Sequence, residues 1–192
     1  MESLFVSTGV VALAEIGDKT QLLAFILAAR FKKPLPIVAG ILVATLVNHG
    51  LAGALGAWIT ISVSPDILRW VLGISFIGMA VWTMIPDKIE EEETRAATKF
   101  GIFGATLITF FLAEMGDKTQ LATVALAAHY GAPLMVVIGT TLGMLIADVP
   151  AAFVGEKLAT KIPMKLVHSI AAGIFALLGV ATLLGAGAKL GL

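Results

Sequence analysis

The chain has no cysteine and few charged residues. Only 14% of its 192 residues are charged, whereas 58% are hydrophobic, and the net charge at pH 7 is zero. Soluble proteins average roughly 25% charged and 45–50% apolar residues, so the composition indicates a membrane protein with several spans. Without cysteine there are no disulfides or thiolate ligands, and a bound metal would need oxygen or imidazole ligands. Without excess positive charge, a nucleic-acid partner is not expected.

Six hydrophobic segments are long enough to cross a bilayer, which requires about 20 mainly apolar residues each. They cover residues 4–29, 35–61, 67–85, 100–128, 134–155 and 164–185. The first contains charged residues at its middle and follows no basic segment, so it is expected to be a retained span rather than a secretion signal. The predicted fold is an all-α polytopic membrane protein with six transmembrane helices in the lipid bilayer.

The loops differ in positive charge. Loops one, three and five hold nine Lys and Arg residues, whereas the opposite side holds two, Arg69 and Lys189. Lys and Arg are enriched in cytoplasmic loops. Both termini are therefore expected to face away from the cytoplasm.

The chain repeats itself with an offset of 99 residues, which matches Pro34 with Pro133 and Gly40 with Gly139. The expected units are a three-helix repeat at 1–85, an acidic cytoplasmic linker at 86–99 and a second three-helix repeat at 100–192. Because three is odd, the second repeat enters the membrane from the opposite side. Inverted repeats of this kind are typical of secondary transporters, whose substrate sites lie near the midplane between the two halves.

Both repeats carry charged residues inside their first apolar segment. The stretch LAEIGDKTQL at 13–22 recurs as LAEMGDKTQL at 112–121, identical at nine of ten positions. On an unbroken helix at 100° per residue, Glu15, Asp18 and Lys19 share one face and Thr20 points away. The glycines between Glu and Asp either permit close helix packing or break the helix, as in discontinuous transporter helices.

Burying these charges is costly, at about 2.5 to 3.5 kcal/mol for each at the bilayer centre, and such residues are functional by default. Each Glu and the Lys four residues later could instead form a purely structural ion pair. Four carboxylates and two lysines sum to minus two, which one divalent cation cancels. The predicted ligands of a hard cation such as Mn²⁺ or Ca²⁺ are Glu15, Asp18, Glu114, Asp117 and the amide oxygens of Gln21 and Gln120. The predicted charge-balancing residues are Lys19 and Lys118.

A site with excess negative charge and no water should take up protons when empty, because desolvation disfavours charged carboxylates. Metal and protons would then compete for the same oxygens, with about two protons exchanged per divalent ion. Further polar residues lie in the second helix of each repeat, namely Asn48, His49 and Asp148. Each is a candidate proton relay or outer contact of the site, and His49 is equally a candidate nitrogen ligand or packing residue.

The two motifs, EIGDKT and EMGDKT, resemble the signature of a family of cation/proton antiporters with a duplicated Glu-x-Gly-Asp-Lys-(Thr/Ser) motif. This family includes MneA-type bacterial manganese exporters and Golgi antiporters of manganese and calcium. The resemblance implies Mn²⁺ or Ca²⁺ as substrate, protons as coupling ion, and a binding role for Glu15, Asp18, Glu114 and Asp117. The short linker resembles the bacterial form, which implies manganese export across the inner membrane.

Two alternatives stay open at this stage. A Ca²⁺/H⁺ antiporter would use the same oxygen ligands. An intramembrane aspartyl hydrolase would use Asp18 and Asp117 as paired acids, although it leaves the two glutamates and two lysines without a role. The transporter hypothesis requires no resident cofactor and makes no prediction about oligomeric state.

Overall fold

A computed structural model describes residues 1–85, 100–154 and 164–185. All its regular elements in these ranges are helices, which we number α1 to α8 in chain order. They are α1 Glu2–Glu15, α2 Lys19–Phe31, α3 Pro34–Ser62, α4 Pro65–Thr83, α5 Gly101–Glu114, α6 Lys118–Tyr130, α7 Pro133–Val154 and α8 Met164–Leu183. The predicted linker at 86–99 lies outside the described residues, so the repeat boundaries stay a prediction.

The helices have the length and surface of a membrane protein. Three described helices are long and apolar enough to cross a bilayer, namely Pro34–Ser62, Pro65–Thr83 and Pro133–Phe153. Large apolar side chains also cover the outside: Ile61 is 84% exposed and Leu177 72% exposed. Soluble monomers rarely expose extensive apolar surface, so the prediction of an all-helical membrane protein is confirmed.

The first and fourth predicted segments are not continuous helices. α1 ends at Glu15 and α2 begins at Lys19, while α5 ends at Glu114 and α6 begins at Lys118. The expectation that Glu15, Asp18 and Lys19 share one face of an unbroken helix is therefore wrong. Of the two interpretations of the motif glycines, the structure supports the helix break.

Glycine explains where each break falls. Gly17 has φ of 87° and Gly116 has φ of 80°, a region that residues with a Cβ rarely adopt. A Cβ at Gly116 would meet nothing within 4 Å, so close packing is not the reason for glycine there. After each glycine, an aspartate in extended conformation occupies the position just before the next helix, where short polar residues are favoured.

The long helices α3 and α7 pack against each other, and each also packs against the two helices that flank the break in the opposite half. α1 and α2 pack on α7, while α5 and α6 pack on α3; α4 and α8 pack together. Close approach depends on small residues at matching positions. A Cβ at Gly40 would lie 2.7 Å from Cβ of Thr106, and one at Gly139 would lie 2.6 Å from the carbonyl oxygen of Leu4. This packing brings the two breaks together between α3 and α7.

Candidate cation site

Each break is held by a glutamine from the helix that follows it. The Gly17 N–H donates to Oε1 of Gln21 at 2.9 Å, and the Gly116 N–H donates to Oε1 of Gln120 at 2.7 Å. These amides belong to residues that have left the helix and need another acceptor. The glutamine oxygens that the sequence suggested as cation ligands are thus already hydrogen-bonded to the backbone.

Three acidic side chains from the two breaks converge. Glu15, Glu114 and Asp117 each offer a carboxylate oxygen, and these oxygens all lie within 4.8 Å of one another. All three residues are buried. Like charges at such distances repel strongly in a poorly screened interior, so the cluster requires a compensating cation or protons.

One oxygen of each glutamate is already engaged by a hydroxyl. Thr20 donates to Oε2 of Glu15 at 2.6 Å, and Thr119 donates to Oε2 of Glu114 at 3.0 Å. Oε1 of both glutamates is buried and has no hydrogen-bond partner in the described part of the chain. Buried oxygens are almost always satisfied, so these two are available to bind a cation or a proton.

The sequence did not assign a role to these threonines, and the expectation that Thr20 points away was wrong because the helix is broken. The available signal was that Thr follows Lys in both copies of the motif. Without knowledge of the break, helical spacing directed attention to the wrong face.

The fourth motif acid is paired across the two halves. Oδ2 of Asp18 lies 3.0 Å from Nζ of Lys118, and both side chains are almost fully buried. A purely structural ion pair within each motif is the alternative that the sequence left open, and that alternative does not predict this contact between the two motifs. Lys19 is half-buried and forms no ion pair with any residue the structure describes.

The polar residues of α3 and α7 line the same interior. Asn48, His49 and Asp148 are all fully buried. Asn48 Nδ2 donates to the carbonyl oxygen of Phe111 at 3.1 Å, which ties α3 to α5. Within the described ranges, neither oxygen of Asp148 and neither ring nitrogen of His49 has a hydrogen-bond partner.

Asp148 and His49 differ in their relation to the acidic cluster. The Asp148 carboxylate interacts electrostatically with both Glu15 and Glu114, which places it beside the cluster. No such interaction with the cluster is found for His49 among the described residues. The roles predicted for Asn48, His49 and Asp148 stay predictions.

Comparison with known proteins identifies the family. The model of the divalent cation/proton antiporter GDT1 family matches residues 3–91 and 102–189. A Vibrio cholerae protein named "Putative manganese exporter" is 51% identical over 183 residues, covering 95% of this chain and 90% of the relative. A rice protein, GDT1-like protein 3, is 30% identical over 200 residues, covering 91% of this chain and 71% of the relative.

The Arabidopsis thaliana GDT1-like protein 5 is 29% identical over 214 residues, covering 90% of this chain and 91% of that protein. No solved structure matches the chain. The family model and the Vibrio cholerae relative cover nearly the whole chain and are named as an antiporter and an exporter, which removes the hydrolase alternative. The chain belongs to the GDT1 family of divalent cation/proton antiporters, and it is a membrane transporter rather than an enzyme.

Proposed function

We propose that the protein exports Mn²⁺ from the cytoplasm in exchange for protons, through one cation site shared by its two halves. The observation that carries this proposal is the buried cluster of Glu15, Glu114 and Asp117, whose carboxylate oxygens lie within 4.8 Å of one another. Because Glu15 comes from one half and the other two acids from the second half, neither half builds the site alone.

The ligand set favours a hard divalent cation. Carboxylate oxygens suit Mn²⁺, Ca²⁺ and Mg²⁺, and the chain has no thiolate to select a softer metal. The relative at 51% identity is named a manganese exporter, which supports Mn²⁺ as the cargo. Ca²⁺ is the second candidate, because oxygen ligands alone discriminate weakly between these two ions.

Charge balance supports proton exchange. Lys118 pairs with Asp18 at 3.0 Å, and the carboxylates of Glu15, Glu114 and Asp117 add further negative charge to the same buried site. In a desolvated site this charge must be balanced by the metal or by protons. Cation and protons thus exclude one another, and exchange of about two protons per divalent ion keeps the cycle electroneutral.

The other polar residues have supporting roles in this proposal. Gln21 and Gln120 stabilise the two breaks through their bonds to Gly17 and Gly116. Asp148, buried beside the cluster, accepts a proton displaced by the cation. Asn48 and His49 are buried on α3 and act as a proton relay or as outer contacts of the site. Lys19 acts as a counter-charge when the site is empty.

The membrane topology in this proposal has six spans in two inverted three-helix repeats. α1 has 14 residues and α2 has 13, so each is about 20 Å long and too short to cross a core of about 30 Å. Together, the two half-helices form one discontinuous span, and α5 with α6 forms its counterpart. Discontinuous helices that meet at the midplane are characteristic of transporter sites.

The proposed orientation places both termini away from the cytoplasm, in the bacterial inner membrane. The supporting observation is the nine-to-two distribution of Lys and Arg between the two sides. Because the chain has no cysteine, single cysteines at Lys32 and Asp66 report opposite sides without background labelling. An impermeant thiol reagent applied to intact cells should label D66C and spare K32C; the reverse pattern would overturn this orientation.

The exchange is tested by Mn²⁺ flux into proteoliposomes under an imposed pH gradient, with Ca²⁺ as competitor. The variant Asp117→Asn removes one cluster acid, and Asp66→Asn removes an exposed acid at the start of α4 as a matched control. We expect wild-type and Asp66→Asn flux to follow the gradient and Asp117→Asn flux to vanish. Flux that ignores the gradient in the wild type would contradict proton exchange, and stronger competition by Ca²⁺ than by Mn²⁺ would favour the calcium alternative.

A further inference from the structure

Two threonine hydroxyls bridge the helix breaks at the cation site. Thr20 lies in the first turn of α2 and donates across the break to Glu15, the last residue of α1. Thr119 lies in the first turn of α6 and donates to Glu114, the last residue of α5. The same atoms take part in both halves, so the arrangement occurs twice independently.

These two bonds differ in kind from those of other buried threonines. The hydroxyls of Thr109, Thr123 and Thr182 each donate to a backbone carbonyl four residues earlier in their own helix, a common way to satisfy a hydroxyl inside a helix. Thr20 and Thr119 instead donate to a carboxylate five residues earlier, across residues that are not helical. They therefore connect each helix break to a cluster side chain.

Each bond occupies one of the two oxygens of a glutamate. A carboxylate has two oxygens, and a hydrogen bond to Oε2 restricts rotation of the side chain and leaves Oε1 available. Oε1 of Glu15 and of Glu114 are the oxygens without a partner in the described part of the structure. Because Thr20 and Thr119 are themselves buried, water cannot easily replace a missing hydroxyl.

We propose that Thr20 and Thr119 are positioning residues of the cation site, which fix Oε2 of Glu15 and Glu114 so that Oε1 is presented to the cation. The inference rests on the proposed shared cation site. Its consequence is that cation affinity depends on a hydroxyl at positions 20 and 119, rather than on the size or shape of the side chain. Outer contacts that orient metal ligands typically contribute about 10- to 100-fold to metal affinity.

The test compares Thr20→Val, which keeps the shape and removes the hydroxyl, with Thr20→Ser, which keeps the hydroxyl. The same pair is made at Thr119. Thr123→Val is the matched control, because Thr123 is buried in the same helix as Thr119 and its hydroxyl bonds only to the backbone of that helix. Mn²⁺ affinity of the purified full chain is measured from the loss of the free-ion electron paramagnetic resonance signal, alongside KM and maximal flux in proteoliposomes.

We expect each Val variant to weaken Mn²⁺ binding by about 10- to 100-fold and raise KM correspondingly. The Ser variants and Thr123→Val should stay within about threefold of the wild type. Ser variants as weak as their Val counterparts would overturn the inference, because packing would then be decisive. Val variants that bind like the wild type, or a Thr123→Val variant as weak as Thr119→Val, would also overturn it.

The same data separate this inference from the proposed exchange. If the wild type binds Mn²⁺ but its flux ignores the pH gradient, the exchange proposal fails while the binding comparison still decides the role of the hydroxyls. If wild-type flux follows the gradient and all Val variants bind normally, only the positioning role fails.

Discussion

The two copies of the motif are almost identical in sequence, yet their lysines occupy different environments. Lys118 is buried and pairs with Asp18 of the opposite half at 3.0 Å. Its counterpart Lys19 is half-buried and makes no ion pair within the described ranges. Identical residues at corresponding positions thus adopt different interactions, which means that the local sequence alone does not determine the state of the site.

The acidic cluster shows the same asymmetry. The first half contributes Glu15, whereas the second contributes Glu114 and Asp117. Asp18, the counterpart of Asp117, is held by Lys118. The backbone breaks and the threonine bonds, in contrast, are the same in both halves. The backbone breaks and the threonine bonds are therefore symmetric, whereas the contacts between the halves are not.

The largest expected effect tests whether transport requires the cluster glutamate of each half. Glu15→Gln and Glu114→Gln each remove one charged ligand from a buried cluster without changing its size. Attraction between unit charges near 4 Å is on the order of 4 kcal/mol at an effective dielectric of 20, so each variant should lose at least about 100-fold in initial Mn²⁺ flux. Two partial losses, with each half retaining its own transport, would indicate two separate sites.

The two lysines should differ in their effect on stability. Lys118→Met leaves the buried Asp18 carboxylate without its ionic partner, which we expect to cost about 3 kcal/mol. Lys19→Met removes a half-buried charge and should cost less than about 1 kcal/mol. Thermal unfolding in detergent provides the ranking, and adding Asp18→Asn to Lys118→Met should restore much of the loss. Equal effects of the two lysine variants would remove the asymmetry that the structure shows.

The glycines should behave alike, because the breaks are symmetric. Gly17→Ala and Gly116→Ala place a Cβ on residues with φ of 87° and 80°, at a cost of roughly 1 to 2 kcal/mol each. Gly173→Ala is the matched control and should not destabilise, because Gly173 lies inside α8 and an added methyl group there would meet nothing within 4 Å. A clear loss at only one of the two motif glycines, measured by thermal unfolding, would show that the breaks are not equivalent.

The smallest expected difference concerns the glutamines. Gln21 is buried and bonds to both the Gly17 N–H and the Ala147 carbonyl oxygen, the latter at 2.9 Å. Gln120 is partly exposed and accepts a hydrogen bond from the Gly116 N–H at 2.7 Å, with no second bond like that of Gln21 among the described residues. Gln21→Leu should therefore destabilise by about 1 to 2 kcal/mol and Gln120→Leu by less than about 1 kcal/mol. Equal losses of stability in the two variants, measured by thermal unfolding, would contradict this difference between the glutamines.

The sequence predicted much of this arrangement, because the repeat is strong and buried charges are rare in apolar helices. The offset of 99 residues identified Glu15, Glu114 and Asp117, and the motif glycines were recognised as possible breaks. The fold class followed from composition and from the length of the apolar segments. These inferences required only local pattern and the energetic cost of burying charge.

The remaining features depend on the helix break and on contacts between the two halves, which the spacing of residues on a regular helix does not predict. The break rotates Thr20 and Thr119 towards the glutamates, so spacing on an unbroken helix pointed to the wrong face. The Asp18–Lys118 pair joins residues from different halves. The two ten-residue motifs differ at one position, so their sequences do not indicate which of the two lysines is buried and pairs with the opposite half.

The central claim is that the two halves build one cation site, and the stoichiometry of Mn²⁺ binding to the purified chain tests it most directly. Equilibrium titration of the wild type, Glu15→Gln and Glu114→Gln, followed by the free Mn²⁺ resonance signal, gives the number of bound ions and their affinity. We predict one Mn²⁺ per chain in the wild type and loss of that same ion in each variant. Two ions per chain in the wild type, with one remaining in each variant, would contradict the shared site.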